Sequence, residues 1–241
     1  MQFFSQIDIG KMRNSNQDAC FTGRLYENTL LVIVCDGMGG AKAGNIASET
    51  AVKSISEYVG KSFRKTMQAD DMADMLKNAL ISANIEIYDM SRKNTEYSGM
   101  GTTAVIAIVQ NESAVICHVG DSRAYLINDE ITQLTKDHSI VQSLIESGKL
   151  TPDEAKAHPR KNVITKALGA EEDIVPDTVT VSLNTNDSLL FCTDGLTNFV
   201  ETPDILKIFT TNEINNVAST LVERANQNGG GDNITVVTVT V

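Results

Sequence analysis

The sequence predicts an α+β fold in which helices and antiparallel strands occupy separate blocks. Short apolar or alternating segments follow one another across brief polar breaks, as strands joined by tight turns do. Two long amphipathic stretches sit next to each other and do not alternate with strands one by one, so the chain lacks the rhythm of a parallel βαβ sheet. No internal repeat, low-complexity tract or Pro/Gly/Ser-rich linker interrupts it, and residues 1–241 read as one domain.

Taken in order, FFSQIDIG (3–10) alternates at its start and reads as a strand, and RNSNQD (13–18) reads as a polar loop. TLLVIVC (29–35) is a continuous apolar run ending in Asp-Gly, the pattern of a buried strand. Residues 43–59 place Ala47, Ala51, Ile55 and Val59 on one helical face. Residues 70–90 repeat the pattern more strongly, with Met72, Met75, Leu76, Leu80 and Ile87 on the apolar stripe and the methionines as core filler. TAVIAIV (103–109), SAVICHVG (113–120) and RAYLI (123–127) read as an antiparallel meander. From about 137 to 170 the pattern turns polar, with two short helical segments (IVQSLIESG and TPDEAKA) followed by HPRKN. That is the composition of a flap inserted between strands. TVTVSL (178–183), SLLFCT (188–193), a helix over 213–227 and a strand in NITVVTVTV (233–241) complete the chain.

The formal charge of −11 and pI near 4.7 exclude nucleic acid as the main partner, because phosphate backbones are bound by basic patches. No apolar run approaches the roughly 20 residues of a membrane helix. The segment MQFFSQIDIGKMR lacks a signal layout, so a cytoplasmic setting is expected. Cys20, Cys35, Cys117 and Cys192 are widely spaced, and three of them lie in apolar runs. They read as small core residues of a reducing compartment.

Four aspartates share a local context of apolar strand, Asp and small residue: Asp36 in VIVCDGMGG, Asp121 in HVGDSR, Asp194 in LFCTDGL and Asp232 in GGGDNIT. A lone Asp-Gly is usually a turn. Four of them beside buried-type strands suit carboxylates converging on hard cations, which take oxygen ligands and water. Upstream, Arg13 offers a planar fork for phosphate, and Asp18, five residues on, is a carboxylate able to orient or deprotonate a water.

In chain order the motifs are R-x-x-N-x-D (13–18), D-G-M-G-G (36–40), G-x-G-T-T (99–103), V-G-D-S-R (119–123), T-x-D-H (135–138), T-x-A-L-G (165–169), T-D-G-L (193–196) and G-D-N-I-T (231–235). This set resembles the PPM family, the metal-dependent 2C-type Ser/Thr protein phosphatases, and the compact length with DGMGG is most similar to stand-alone bacterial members. The resemblance implies a four-layer αββα sandwich, two antiparallel sheets flanked by helix pairs, with a flap. It implies that Asp36 bridges two metal ions, that the Gly37 carbonyl holds one of them, and that Asp194 and Asp232 ligate the other. Asp18 is then expected to hydrogen-bond metal-bound water, and Arg13 to bind the substrate phosphate. Asp121 with Asp194 would hold a weaker third ion, Mg²⁺ and Mn²⁺ being equally suited to such oxygen ligands. Hydrolysis by metal-activated water, with no phosphoenzyme, would act on phosphoserine and phosphothreonine in proteins and oppose a bacterial Ser/Thr kinase. A monomer is expected. The alternatives are an inactive binding protein of the same fold, or a phosphatase of small phosphorylated metabolites.

One departure stands out. Eukaryotic relatives of this type often carry histidine after the metal-binding Asp-Gly, where this chain has Met38, which gives no proton. The three histidines do not replace it: His118 and His138 read as structural, and His158 as solvent-facing.

Overall fold

The computed structural model describes residues 1–40 and 43–241. The chain opens with β1 (Gln2–Asp8), β2 (Asp18–Tyr26) and β3 (Thr29–Met38), followed by α1 (Ala43–Ser62) and α2 (Ala69–Lys93). Next come β4 (Gly101–Thr102), β5 (Ala104–Gln110), β6 (Ser113–Val119), β7 (Arg123–Ile127) and β8 (Ile131–Gln133). The segment expected to form a flap carries α3 (Ile140–Glu146) and α4 (Pro152–Lys156). The last part holds β9 (Asp177–Ser182), β10 (Ser188–Cys192), α5 (Asp194–Thr197), α6 (Thr202–Thr211), α7 (Ile214–Gln227) and β11 (Ile234–Thr240).

Two antiparallel sheets result, one ordered β1-β11-β10-β7-β8 and the other β2-β3-β5-β6-β9 with β4 added beside β3. Alternation along β3 explains their stacking. Leu30, Val32 and Val34 point into the space between the sheets, where Val105, Ala107, Leu189, Phe191 and Val237 meet them. Leu31, Ile33 and Cys35 point the other way and are covered by Ile55, Leu76, Leu80 and Ile87 of α1 and α2. On the far side, Tyr125, Leu190, Cys192 and Val236 lie under Ile205, Ile208, Leu221 and Val222 of α6 and α7. Both faces of the central strands are therefore buried, which is why they read as continuous apolar runs. At about 25 cal/mol per Å², each fully buried Leu or Ile adds about 2 kcal/mol of driving force. The four-layer sandwich is thus the sequence pattern realised.

The meander expectation needs correction. β5 and β6 pair, but β6 goes on to pair with β9, and β7 belongs to the other sheet between β10 and β8. The chain changes sheet at Gly120, whose φ of +103° suits glycine, and a Cβ there would come within 2.6 Å of the Thr103 side chain. Five of these elements also lie outside the sequence reading: β2, whose first residue falls in the expected RNSNQD loop, β4, β8, α5, and α6, whose first turn holds Pro203. The last residues of the expected flap are fastened to the body. Thr102 bridges to Leu168, which is fully buried, so only the part before about Ile164 projects.

Candidate metal centre

The strand ends bring the predicted residues together. Arg13, Asp36, Gly37, Asp121, Asp194 and Asp232 all line one cavity of about 300 Å³. Asp18 stands behind it, opposite Asp36 in the β2–β3 register and only 8% exposed. Two placements differ from the expected context. Asp36 lies within β3, two residues before its end, and Asp232 precedes β11 and does not follow a strand.

Motifs that seemed only to accompany the aspartates are what hold them. Both backbone groups of Asp36 are pinned by the G-x-G-T-T segment: its N–H donates to Thr103 Oγ1 (3.0 Å), and its carbonyl accepts from Thr103 N (2.8 Å) and Thr102 Oγ1 (2.9 Å). Gly37 lies so close to Gln17 and Gly44 that a Cβ would run into both of their carbonyl oxygens. Asp18 Oδ2 accepts from the buried hydroxyls of Thr193 (2.9 Å) and Thr235 (2.7 Å), the threonines of T-D-G-L and G-D-N-I-T. Asp194 Oδ2 accepts from Asn198 Nδ2 at 2.9 Å. Asn233 organises the loop that carries Arg13, because its Oδ1 accepts from Gln17 N–H and its Nδ2 donates to the Ile9 and Ser15 carbonyls. Sequence reasoning missed the roles of Thr103, Thr193, Thr235 and Asn233, although all four stand inside the quoted motifs.

The electrostatics follow from crowding carboxylates in a low-dielectric wall. Burial, opposed by the two threonine hydrogen bonds and aided by Asp194 and Asp232, pushes Asp18 up to about 7. Burial and the neighbouring Asp18, Asp194, Asp121 and Asp232 raise Asp36 well above the usual carboxylate range. Burial with Asp194 and Asp137 nearby takes Asp121 to about 7, and burial with Asp232 nearby raises Asp194. Among the described residues, the one basic group bonded to these aspartates is Arg13, whose Nη2 donates to Asp232 Oδ2 at 2.7 Å. Asp18 Oδ1 and Asp194 Oδ1 are buried without hydrogen-bond partners among the described residues. Orphaned carboxylate oxygens among mutually repelling neighbours, with oxygen as the only donor type, fit hard divalent cations.

A second donor cluster does not fit a metal. His118, His138 and Asp177 bring one donor atom each within 4.8 Å of one another, the one such trio among the described residues. However, His138 Nδ1 accepts from Gly120 N–H at 3.0 Å, so in the neutral ring the proton sits on Nε2, which is 3.5 Å from Asp177 Oδ2. The Lys166 ammonium lies 3.5 Å from the same carboxylate and already supplies its positive charge. His118 and His138 thus pack and brace, as expected, with rings stacked at 4.9 Å. His158, expected to face solvent, is partly covered, and its Nδ1 accepts from Arg160 N–H.

The sequence model of the family described as "Protein phosphatase 2C" matches residues 11–227, a span holding all of the motifs but the last, G-D-N-I-T. The chain belongs to the protein phosphatase 2C family. Among its relatives, the serine/threonine phosphatase stp of Listeria innocua is 41% identical over 241 residues, covering 97% of this chain and 93% of that protein. The crystal structure of the serine/threonine phosphatase Stp1 from Staphylococcus aureus superposes with a TM-score of 0.94 at 36% identity, covering all of this chain and 94% of that one. The catalytic domain of the serine/threonine protein phosphatase PstP, crystallised with two manganese ions, gives a TM-score of 0.84 at 29% identity over 98% of this chain and 96% of that one. The 2C family is metal-dependent, which matches the donor set of the cavity.

Proposed function

We infer that this 2C-type chain hydrolyses phosphoserine and phosphothreonine monoesters in proteins at the aspartate-lined cavity. The observation that carries the reading is the carboxylate cluster of buried Asp18 and half-buried Asp36, Asp121 and Asp194, each raised by desolvation and by its acidic neighbours, with too few basic partners among the described residues to neutralise them. Such a cluster is built to be completed by cations. Asp36 and the Gly37 carbonyl would hold a pair of ions together with Asp194 and Asp232, and Asp121 with Asp194 a weaker third. Either Mn²⁺ or Mg²⁺ suits this donor set. When bound, the ions supply Lewis-acid activation of water and neutralise phosphate charge.

The residues of the chain do the rest. Arg13, with its side chain half exposed at the cavity, supplies a guanidinium to pair with the substrate phosphate. Asp18, held by two threonines, orients an attacking water from behind Asp36 and accepts its proton as the phosphorus is attacked. Met38 lines the cavity without a proton to give, and none of the three histidines lines it. Neither Met38 nor a histidine therefore protonates the leaving alkoxide, and a water, a flap residue or no acid at all fills that role. No side chain needs to become phosphorylated.

The full complement of acidic residues and Arg13 favours an active enzyme over an inactive binding protein of the same fold. No helix among the described residues is long and apolar enough to cross a membrane. Buried, unpaired Cys35, Cys117 and Cys192 suit a reducing, cytoplasmic setting, and we propose a single catalytic unit over 1–241, acting as a monomer opposite a Ser/Thr kinase. Phosphate release from a phosphothreonine peptide tests the reading. Turnover with manganese that chelator and Asp194→Ala both abolish is expected, and a folded protein inert with every divalent cation would overturn it.

A further inference from the structure

Beside the catalytic cavity runs a second groove, of about 410 Å³. Its apolar lining comes from Met38, Ile164, Ala167, Ala170, Ile174 and Val175. Met38 and Ile164 also line the aspartate cavity, so the groove opens directly onto the site of phosphate cleavage. Val175 is 73% exposed, more than the apolar core asks of a valine, while Ile174 beside it is seated against the α1–α2 core.

The groove is preformed. Asn84, 1% exposed on α2, accepts from Gly169 N–H at 2.7 Å and donates to the carbonyls of Glu171 (3.1 Å) and Glu172 (2.9 Å). One buried amide thus fixes the backbone at 169, 171 and 172, in the segment that forms the groove wall. Lys166 lines the groove, and its ammonium reaches the Val175 carbonyl at 3.3 Å and Asp177 at 3.5 Å, tying the far wall back to the floor. Glu171 and Asp173 stand at the edge and make it acidic. Met38 adds an adaptable wall in the place where a proton donor is not needed.

We propose that this groove is the subsite for an apolar side chain of the substrate protein, one or two residues from the phosphorylated serine or threonine. The inference rests on the protein phosphatase reading and deepens it. An extended chain advances about 3.3 Å per residue, so a phosphoresidue in the aspartate cavity delivers its near neighbours to the shared Met38–Ile164 wall. A leucine there leaves water for a fixed apolar surface. A glutamate there meets the same apolar surface and the acidic edge of Glu171 and Asp173, and is disfavoured on both counts.

The test compares phosphothreonine peptides that differ in a single residue, Leu or Glu, placed in turn at each of the two positions before and the two after the phosphothreonine. Wild-type protein and Val175→Glu are each assayed on these peptides and on p-nitrophenyl phosphate, a small ester that does not reach the groove. At one or more positions wild type should favour Leu over Glu by about tenfold in kcat/KM, the discrimination expected of a small apolar contact. Val175→Glu should reduce that preference below about twofold and leave hydrolysis of the small ester unchanged. Equal rates on Leu and Glu peptides at all four positions, or a preference that survives Val175→Glu, would overturn the subsite. Hydrolysis of the small ester with none of any peptide would instead overturn the protein phosphatase reading, and the subsite with it.

Discussion

With its cations removed, this protein should lose stability as pH rises, and the replacement Asp18→Asn should remove Asp18's share of that loss. An ordinary aspartate titrates near 3.8, and Asp18 is held at about 7 in the folded chain. Between these values the folded state binds more protons than the unfolded state, so unfolding free energy falls with rising pH across that window and is flat above it. The full displacement corresponds to about 4 kcal/mol, of which about 3 kcal/mol falls between pH 5 and pH 8.5. Asparagine does not titrate, and its carbonyl can still accept from Thr193 and Thr235. Its amide would occupy the place of Oδ1, which has no partner, at a cost that does not vary with pH. The quantity to measure is therefore the difference between variant and wild type, by urea unfolding in excess chelator at the two pH values. That difference also cancels His118, which burial and His138 lower to about 4 and whose contribution has the opposite slope. The variant should gain about 3 kcal/mol on wild type between pH 5 and pH 8.5. A difference that does not change with pH would refute the claim that Asp18 is forced up by its buried, acidic surroundings.

Other outcomes follow from single contacts. Arg13→Ala should lower kcat/KM for phosphopeptides by about 10²–10³, the usual loss of a group that meets charge at the reacting phosphate, as steady-state kinetics would show. Gly37→Ala places a methyl group against the carbonyls of Gln17 and Gly44 and should destabilise the fold by about 3 kcal/mol or more in a thermal melt. His138→Ala strands the buried Gly120 N–H, costing about 1–3 kcal/mol in urea unfolding, and His138→Asn, which keeps an acceptor, should recover part of it.

The strands with both faces buried were legible because nothing but burial explains a run such as Leu30–Cys35. The helices were legible because α1 and α2 show their apolar stripe to one sheet. β2 was hidden because it is an edge strand of half-buried alternation, DACFTGRLY, broken by Gly23 and Arg24. The sheet change after β6 was hidden because a chain that turns at Gly120 has the same local spelling whether it pairs back or crosses over. Asp36, Asp121, Asp194 and Asp232 could be singled out because each sits beside a strand and a small residue. Their supports could not, since Thr193 and Thr235 lie 175 and 217 residues from Asp18 and only the sandwich brings them to it. The apolar groove was unreadable for the same reason, being assembled from Met38 at the end of β3 and the 164–175 segment.

Anomalous diffraction from crystals soaked in manganese tests the central claim most directly. Two strong peaks are predicted in the aspartate cavity, both within ligand distance of Asp36, one beside the Gly37 carbonyl and the other beside Asp194 and Asp232, with a weaker third beside Asp121 and Asp194. Peaks instead among His118, His138 and Asp177, or none in the aspartate cavity at saturating manganese, would contradict it.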